Sequence, residues 1–115
     1  MGTRQALPEI LRGTLDLLIL QALSWGPAHG YAVARWIEQA TGDALAVGEG
    51  TLYPALHRLE ERGWISASWG ASENNRQAKF YALTRRGRAQ LRVEADQWRR
   101  YAAAVFAALE APALE

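Results

Sequence analysis

The apolar positions of this chain fall into four helical stretches and two β-rich runs. Pro8 and Glu9 open the first stretch, and Trp25-Gly26-Pro27 stop it after about Ser24. Within it Ile10, Leu11, Leu15, Leu17, Leu18, Ile19, Leu20, Ala22 and Leu23 occupy more than one side of the helix. A helix that is apolar nearly all round has to be covered nearly all round. One small core cannot easily do that, so the excess predicts a second partner, most simply another copy of the chain.

A second helix starts at His29-Gly30-Tyr31, carries Val33, Trp36, Ile37 and Ala40 at helical spacing, and ends at Thr41-Gly42-Asp43. In a third, Leu52, Leu56 and Leu59 form an inward stripe that leaves Tyr53, His57 and Arg58 off it. Thr51 as N-cap places Pro54 in the first turn, where its missing donor costs nothing; an earlier start puts a bend at the proline. Gly63 closes this helix. Trp64–Trp69 and Arg76–Leu83 then read as a hairpin whose polar tip is Gly70 to Asn75. Thr84 caps a final helix from Arg85 to about Glu110. There Leu91, Ala95, Trp98, Ala102, Val105 and Leu109 keep a seven-residue repeat, the signature of helix packed on helix. The first helix, of this chain or of a partner, is what remains to receive it.

Helix, helix, helix, hairpin, helix is the order of a winged helix-turn-helix. The predicted fold class is therefore mostly α with a small β-hairpin wing, plus a long C-terminal dimerisation helix. Residues 1–84 are expected to form the DNA-binding unit and 85–115 the dimerisation helix and a short tail. In this arrangement the third helix fits a major groove while its inner stripe packs on the first two.

The overall charge of the 115 residues is only +1, but it is unevenly spread. Residues 1–75 hold five arginines against eight acids, whereas residues 76–100 hold eight basic residues against Glu94 and Asp96. A local basic surface is what phosphate binding needs; a solvated helix face is the plainer reading of the same charges. With 50% hydrophobic and 22% charged residues the chain is that of a folded protein. The absence of cysteine excludes disulfides and thiol chemistry and suits a cytoplasmic location. No apolar run approaches a membrane span, and no secretory signal pattern opens the chain.

Catalysis finds no footing. His29 and His57 are far apart and lack carboxylates at ligand spacing, so neither a metal nor a cofactor is expected. Gly48-Glu49-Gly50 lacks the third glycine and the preceding strand of a phosphate loop, and Ser66 and Ser68 have no base. Among the tryptophans, Trp36, Trp64 and Trp69 are expected in the core, and Trp25 sits at a turn. Trp98 lies among alanines in the helix-packing seam. It suits either plain interface packing or a sandwich of two rings around a planar apolar molecule across a two-fold axis.

Three segments, Gly26-Pro27-Ala28-His29-Gly30-Tyr31, Gly50-Thr51-Leu52-Tyr53-Pro54-Ala55-Leu56-His57-Arg58-Leu59-Glu60 and Lys79-Phe80-Tyr81-Ala82-Leu83-Thr84 with Gly87, resemble the PadR family of transcriptional regulators. The likeness runs from about residue 10 to residue 110, and its single C-terminal helix resembles the compact branch. The resemblance implies a two-fold dimer whose C-terminal helix packs on the partner's first helix. It further implies repression of a nearby operon. In some compact members it implies a flat aromatic ligand held between paired tryptophans. Trp98 matches that tryptophan, with Asp16 and Leu17 facing the same pocket. Ala102 stands one turn on, where some drug-sensing relatives are polar or acidic.

The expected interface with double-stranded DNA comprises Thr51, Tyr53, Pro54, His57 and Arg58 on the third helix and Arg76 and Lys79 on the wing. The expected dimer interface comprises Leu15, Leu18, Leu91, Ala95, Trp98, Ala102, Val105 and Leu109. The expected operator is an inverted repeat, released by a small aromatic effector where one exists. The competing reading is a winged-helix protein-interaction module without DNA binding, which has no use for basic residues on the wing.

Overall fold

The computed structural model describes residues 5–6, 12–71 and 74–114. In chain order these form β1 (Gln5–Ala6), α1 (Arg12–Leu23), β2 (Ala28–His29), α2 (Gly30–Ala40), β3 (Leu45–Ala46), α3 (Glu49–Glu61), β4 (Ile65–Ala71), β5 (Gln77–Leu83) and α4 (Arg85–Glu110). The architecture is the expected one, a helical body with a hairpin wing and a long last helix. The predicted opening of the first helix at Pro8 and Glu9, with Ile10 and Leu11, lies outside the described residues. Among the described residues no helix is long and apolar enough to cross a membrane.

Local chemistry sets most helix ends. The His29 side chain caps α2 by accepting from the Ala32 N–H at 3.1 Å. Thr84 caps α4 by accepting from the Gly87 N–H at 3.0 Å, and its hydroxyl donates to the Gly63 carbonyl at 2.7 Å. One threonine thus joins the start of α4 to the end of α3. Gly87 is buried there, and an added Cβ would run into the Trp64 carbonyl oxygen. The end of α3 is a Schellman turn: Gly63, at φ +77°, donates to the Glu60 carbonyl, and Trp64 donates to that of Leu59.

The start of α3 differs from expectation. The helix begins at Glu49 with Gly48 at the cap, because the N–H groups of Thr51 and Leu52 both reach back to the Gly48 carbonyl. Pro54 is therefore inside the helix, where it has no N–H to offer the Gly50 carbonyl.

The hairpin pairs Ile65 with Leu83 at its base and Ala71 with Gln77 toward its tip. β2 adds a third antiparallel strand against β5, and β1 pairs in parallel with β3. These two-residue strands are too short to carry an alternating pattern, which is why sequence periodicity did not reveal them. The core is built from Leu15, Ile19, Leu20 and Leu23 of α1, Val33 and Ile37 of α2, Leu52, Leu56 and Leu59 of α3, and Ile65 and Tyr81 of the wing. Trp36 and Trp64 pack partly against it, as expected. Trp69 does not: it pairs with Lys79 far out along the hairpin and stays exposed.

The repeat along α4 divides in two. Leu91 packs on the chain's own core, and the Trp98 indole N–H donates to the Thr14 hydroxyl of α1 at 2.9 Å. Beyond it, Val105, Phe106 and Leu109 are 41%, 62% and 75% exposed. At the other extreme is Leu15, expected at a dimer interface but fully buried in the core of its own chain, with no surface to offer a partner.

Candidate nucleic-acid interface

The buried stripe of α3, Leu52, Ala55, Leu56 and Leu59, fixes which residues face out. At about 100° per residue, Thr51, Pro54 and His57 lie away from that stripe, and all three are exposed. His57 points along the helix to Glu61, Nε2 to Oε1 at 2.9 Å. The Tyr53 ring leans toward α2, where a Cβ on Gly30 would stand 3.0–3.2 Å from it, so the glycine makes room for the ring.

The flanks of α3 are tied to neighbouring elements. On one, the Arg58 guanidinium meets the Asp16 carboxylate of α1 at 2.6 Å, with Arg62 at 3.8 Å from the other oxygen. On the other, Lys79 of β5 lies 3.6 Å from Glu60 and 5.6 Å from the centre of the Tyr81 ring. Burial pushes the Tyr81 phenol pKa above its ordinary value, and the Lys79 charge opposes that shift. Arg76 is exposed just before β5, at the outer end of the wing. Two of the basic residues expected on DNA, Arg58 and Lys79, therefore already face a carboxylate.

Beside Tyr53 a groove of about 430 Å³ runs between α2, α3 and the wing, lined by His29, Gly30, Tyr31, Tyr53, Ala78, Lys79 and Tyr81. Tyr31 and Arg35 extend this surface along α2. The Arg35 guanidinium donates to the Tyr31 hydroxyl at 3.2 Å, and that bond, with the phenol's charge, raises the Arg35 pKa further. Neither residue stood out in the sequence; a tyrosine and an arginine four apart on a helix whose apolar stripe lies elsewhere were the available signal.

The residues expected around Trp98 separate. Leu17, with Gly13, Thr14, Glu94, Gln97, Trp98 and Tyr101, lines an open groove of about 400 Å³ between α1 and α4. Leu18 and Ala95 line a smaller one on the other side of Trp98. Ala102 is half-buried and lines neither groove. Asp16 does not line them either, because its carboxylate is buried against Arg58. Glu94 was not expected. One of its oxygens accepts from Gln90 at 3.2 Å, and the other is buried with no hydrogen-bond partner.

Residues 19–93 match the family model described as the transcriptional regulator PadR-like family. A PadR-like transcriptional regulator from Bacillus cereus superimposes with a TM-score of 0.78 at 26% identity, covering 91% of this chain and 100% of that one. A PadR family transcriptional regulator from Eggerthella lenta is 32% identical with a TM-score of 0.74, covering 90% and 88%. An uncharacterized protein of Lysinibacillus sphaericus is 31% identical over 90 residues, 78% of this chain and 83% of its own length. A 37.1 kDa protein of a Streptomyces fradiae transposon is 42% identical over 91 residues, 79% of this chain but 25% of that protein.

Proposed function

The chain belongs to the PadR-like family of transcriptional regulators, and from that premise we propose that it is a DNA-binding repressor acting as a two-fold dimer on an inverted-repeat operator. The members of this family are regulators of transcription and not enzymes. The observation that carries the reading is the exposed face of α3, with Thr51, Tyr53, Pro54 and His57 clear of the stripe that anchors the helix. In this reading these residues approach base edges and nearby phosphates. Arg76 and Lys79 on the wing, with Tyr31 and Arg35 on α2, hold the flanking backbone and set register.

Residues 1–84 then act as the DNA-binding unit and residues 85–115 as the dimerisation helix and tail. Support for the dimer is the apolar face of α4 around Val105, Phe106 and Leu109, which has no covering element among the described residues of its own chain. A patch of this kind on a small protein marks an association surface. Two-fold symmetry in the protein calls for half-sites about one helical turn, or a multiple, apart.

An effector reading is favoured by the groove at Trp98. It joins an exposed indole to a Glu94 oxygen that lacks a partner, a combination suited to a planar aromatic molecule bearing a cationic or hydrogen-donating group. Such a molecule would release the operator.

The test is fluorescence-anisotropy titration of the DNA upstream of the protein's own gene, at two salt concentrations, against an unrelated duplex. Salt-sensitive binding that prefers the upstream DNA is the expected result. Equal affinity for both duplexes at every upstream segment tried would favour a protein-interaction module.

A further inference from the structure

We propose that Arg58 does not read DNA but, together with Asp16, is a positioning residue that sets how α3 is presented to it. The proposal rests on the DNA-binding reading above and assigns a different task to one of the residues that reading would otherwise place on the nucleic acid.

Its contact, not its place on the helix, sets Arg58 apart. It follows Pro54 by four residues and Thr51 by seven, on the same side of α3, but its guanidinium turns toward the Asp16 carboxylate on α1, as does that of Arg62 at the end of the helix. The Asp16 side chain is only 9% exposed and that of Arg58 29%. A carboxylate so far withdrawn from water needs a charged partner with good geometry, and the 2.6 Å contact to Arg58 is the shorter of the two it has. A DNA phosphate offers Arg58 no more charge than Asp16 already does, and taking it would strand Asp16. Arg62 is no substitute, because it stands 3.8 Å away, is 48% exposed and stacks over the Trp64 ring.

The opposite flank shows what a tradeable pair looks like. Lys79 and Glu60 are 3.6 Å apart and both more than a third exposed. Water can take over Glu60 when Lys79 leaves, so that pair opens readily for a phosphate. The two flanks thus hold α3 by different means. The α1 flank is a fixed anchor, and the wing flank is an exchangeable contact. Because the salt dependence of DNA affinity counts the protein cations that neutralise phosphates, it distinguishes the two roles.

The experiment is anisotropy titration of the full chain on its operator and on an unrelated duplex, over a series of salt concentrations, with thermal melts to establish folding. Arg58→Ala is expected to cut the operator-to-unrelated affinity ratio by about tenfold or more. It should leave the slope of log affinity against log salt at the wild-type value. Asp16→Asn, nearly isosteric, removes the charge that neutralises Arg58. It is expected to steepen the slope by about one while also lowering the ratio, and it carries the test should Arg58→Ala not fold. A slope shallower by about one in Arg58→Ala, or an unchanged slope in Asp16→Asn, would overturn the proposal and return Arg58 to the phosphate or base contacts. A wild-type chain with no operator preference would overturn the DNA reading itself, which separates the two failures.

Discussion

Helices α3 and α4 both carry a regular apolar stripe, yet they use it differently. The stripe of α3 is closed completely inside its own chain: Leu52, Ala55, Leu56 and Leu59 have almost no contact with water. The stripe of α4 is closed at Leu91 and only partly at Trp98, which is 37% exposed, and from Val105 onward its large side chains stand in solvent. The difference follows from what lies opposite. α1, α2 and the wing surround α3, whereas α4 reaches past the end of α1 and meets nothing further among the described residues. A stripe therefore announces that a helix will be covered without saying by which molecule. In α3 the covered side serves to aim the uncovered one. In α4 the uncovered stretch is the surface on which the proposed dimer rests.

The largest effect expected from this contrast comes from the same substitution made in both helices. Leu56→Ala, at a fully buried site, should lower unfolding free energy by about 2–5 kcal/mol in urea titration. Leu109→Ala, at a site 75% exposed, should change it by no more than about 0.5 kcal/mol in dilute protein. A comparable loss at Leu109 in dilute protein would mean that α4 folds back on its own chain.

Next in size is the effect of placing a charge on the open stripe. Val105→Asp should weaken self-association by about tenfold or more in analytical ultracentrifugation, since in the proposed dimer it would leave a carboxylate in the interface. It should also abolish any rise of the unfolding midpoint with protein concentration. If the wild-type midpoint shows no such rise, no second copy covers the stripe.

Smaller still is the effect of Lys79→Ala. Its ion pair with Glu60 is half in water, so stability should change by less than about 1 kcal/mol. The salt slope of DNA binding should nevertheless fall by about one, since this lysine is free to leave Glu60 for a phosphate. A slope that does not move would remove Lys79 from the DNA footprint and make both flanks of α3 structural.

The smallest effect is a pH dependence. Burial raises the Tyr81 pKa in the folded chain, so the native state holds this proton more tightly than the unfolded one. That contribution is fully present below the ordinary tyrosine value and is lost as pH rises through the higher folded value. Urea midpoints taken from pH 8 upward should therefore fall more steeply above about pH 10 in the wild type than in Tyr81→Phe. Parallel curves would show that the phenol ionises in the fold without penalty.

Much of the scaffold was legible in the residues. The start of α2 at His29, the cap at Thr84, the glycine stop at Gly63 and the α3 stripe each depend on neighbours within a few positions, and each stands where the local pattern places it; the hairpin stands where its two β-rich runs and polar tip place it. The start of α3 was less so, because nothing in the side chains of Gly48-Glu49-Gly50 advertises a cap; only the backbone bonds back to Gly48 reveal it. The candidate site was legible as a list of exposed polar types but not as a set of free ones. Arg58 and Lys79 looked alike as surface cations. Asp16 looked like a pocket residue beside Leu17, although one step along a helix turns a side chain through about 100°.

What the sequence alone determined is therefore the order of elements, most of their ends and the membership of the α3 stripe, the helix ends and the stripe resting on interactions between residues three to five apart. The tertiary structure alone decided that Asp16 belongs to Arg58, 42 positions away, and Glu60 to Lys79. It also decided that Leu15 is core while Leu109 is not. The physical reason is range. Helix periodicity and capping are encoded along the chain, whereas an ion pair or a buried face depends on distances through space that only the packing of α1, α3 and the wing establishes.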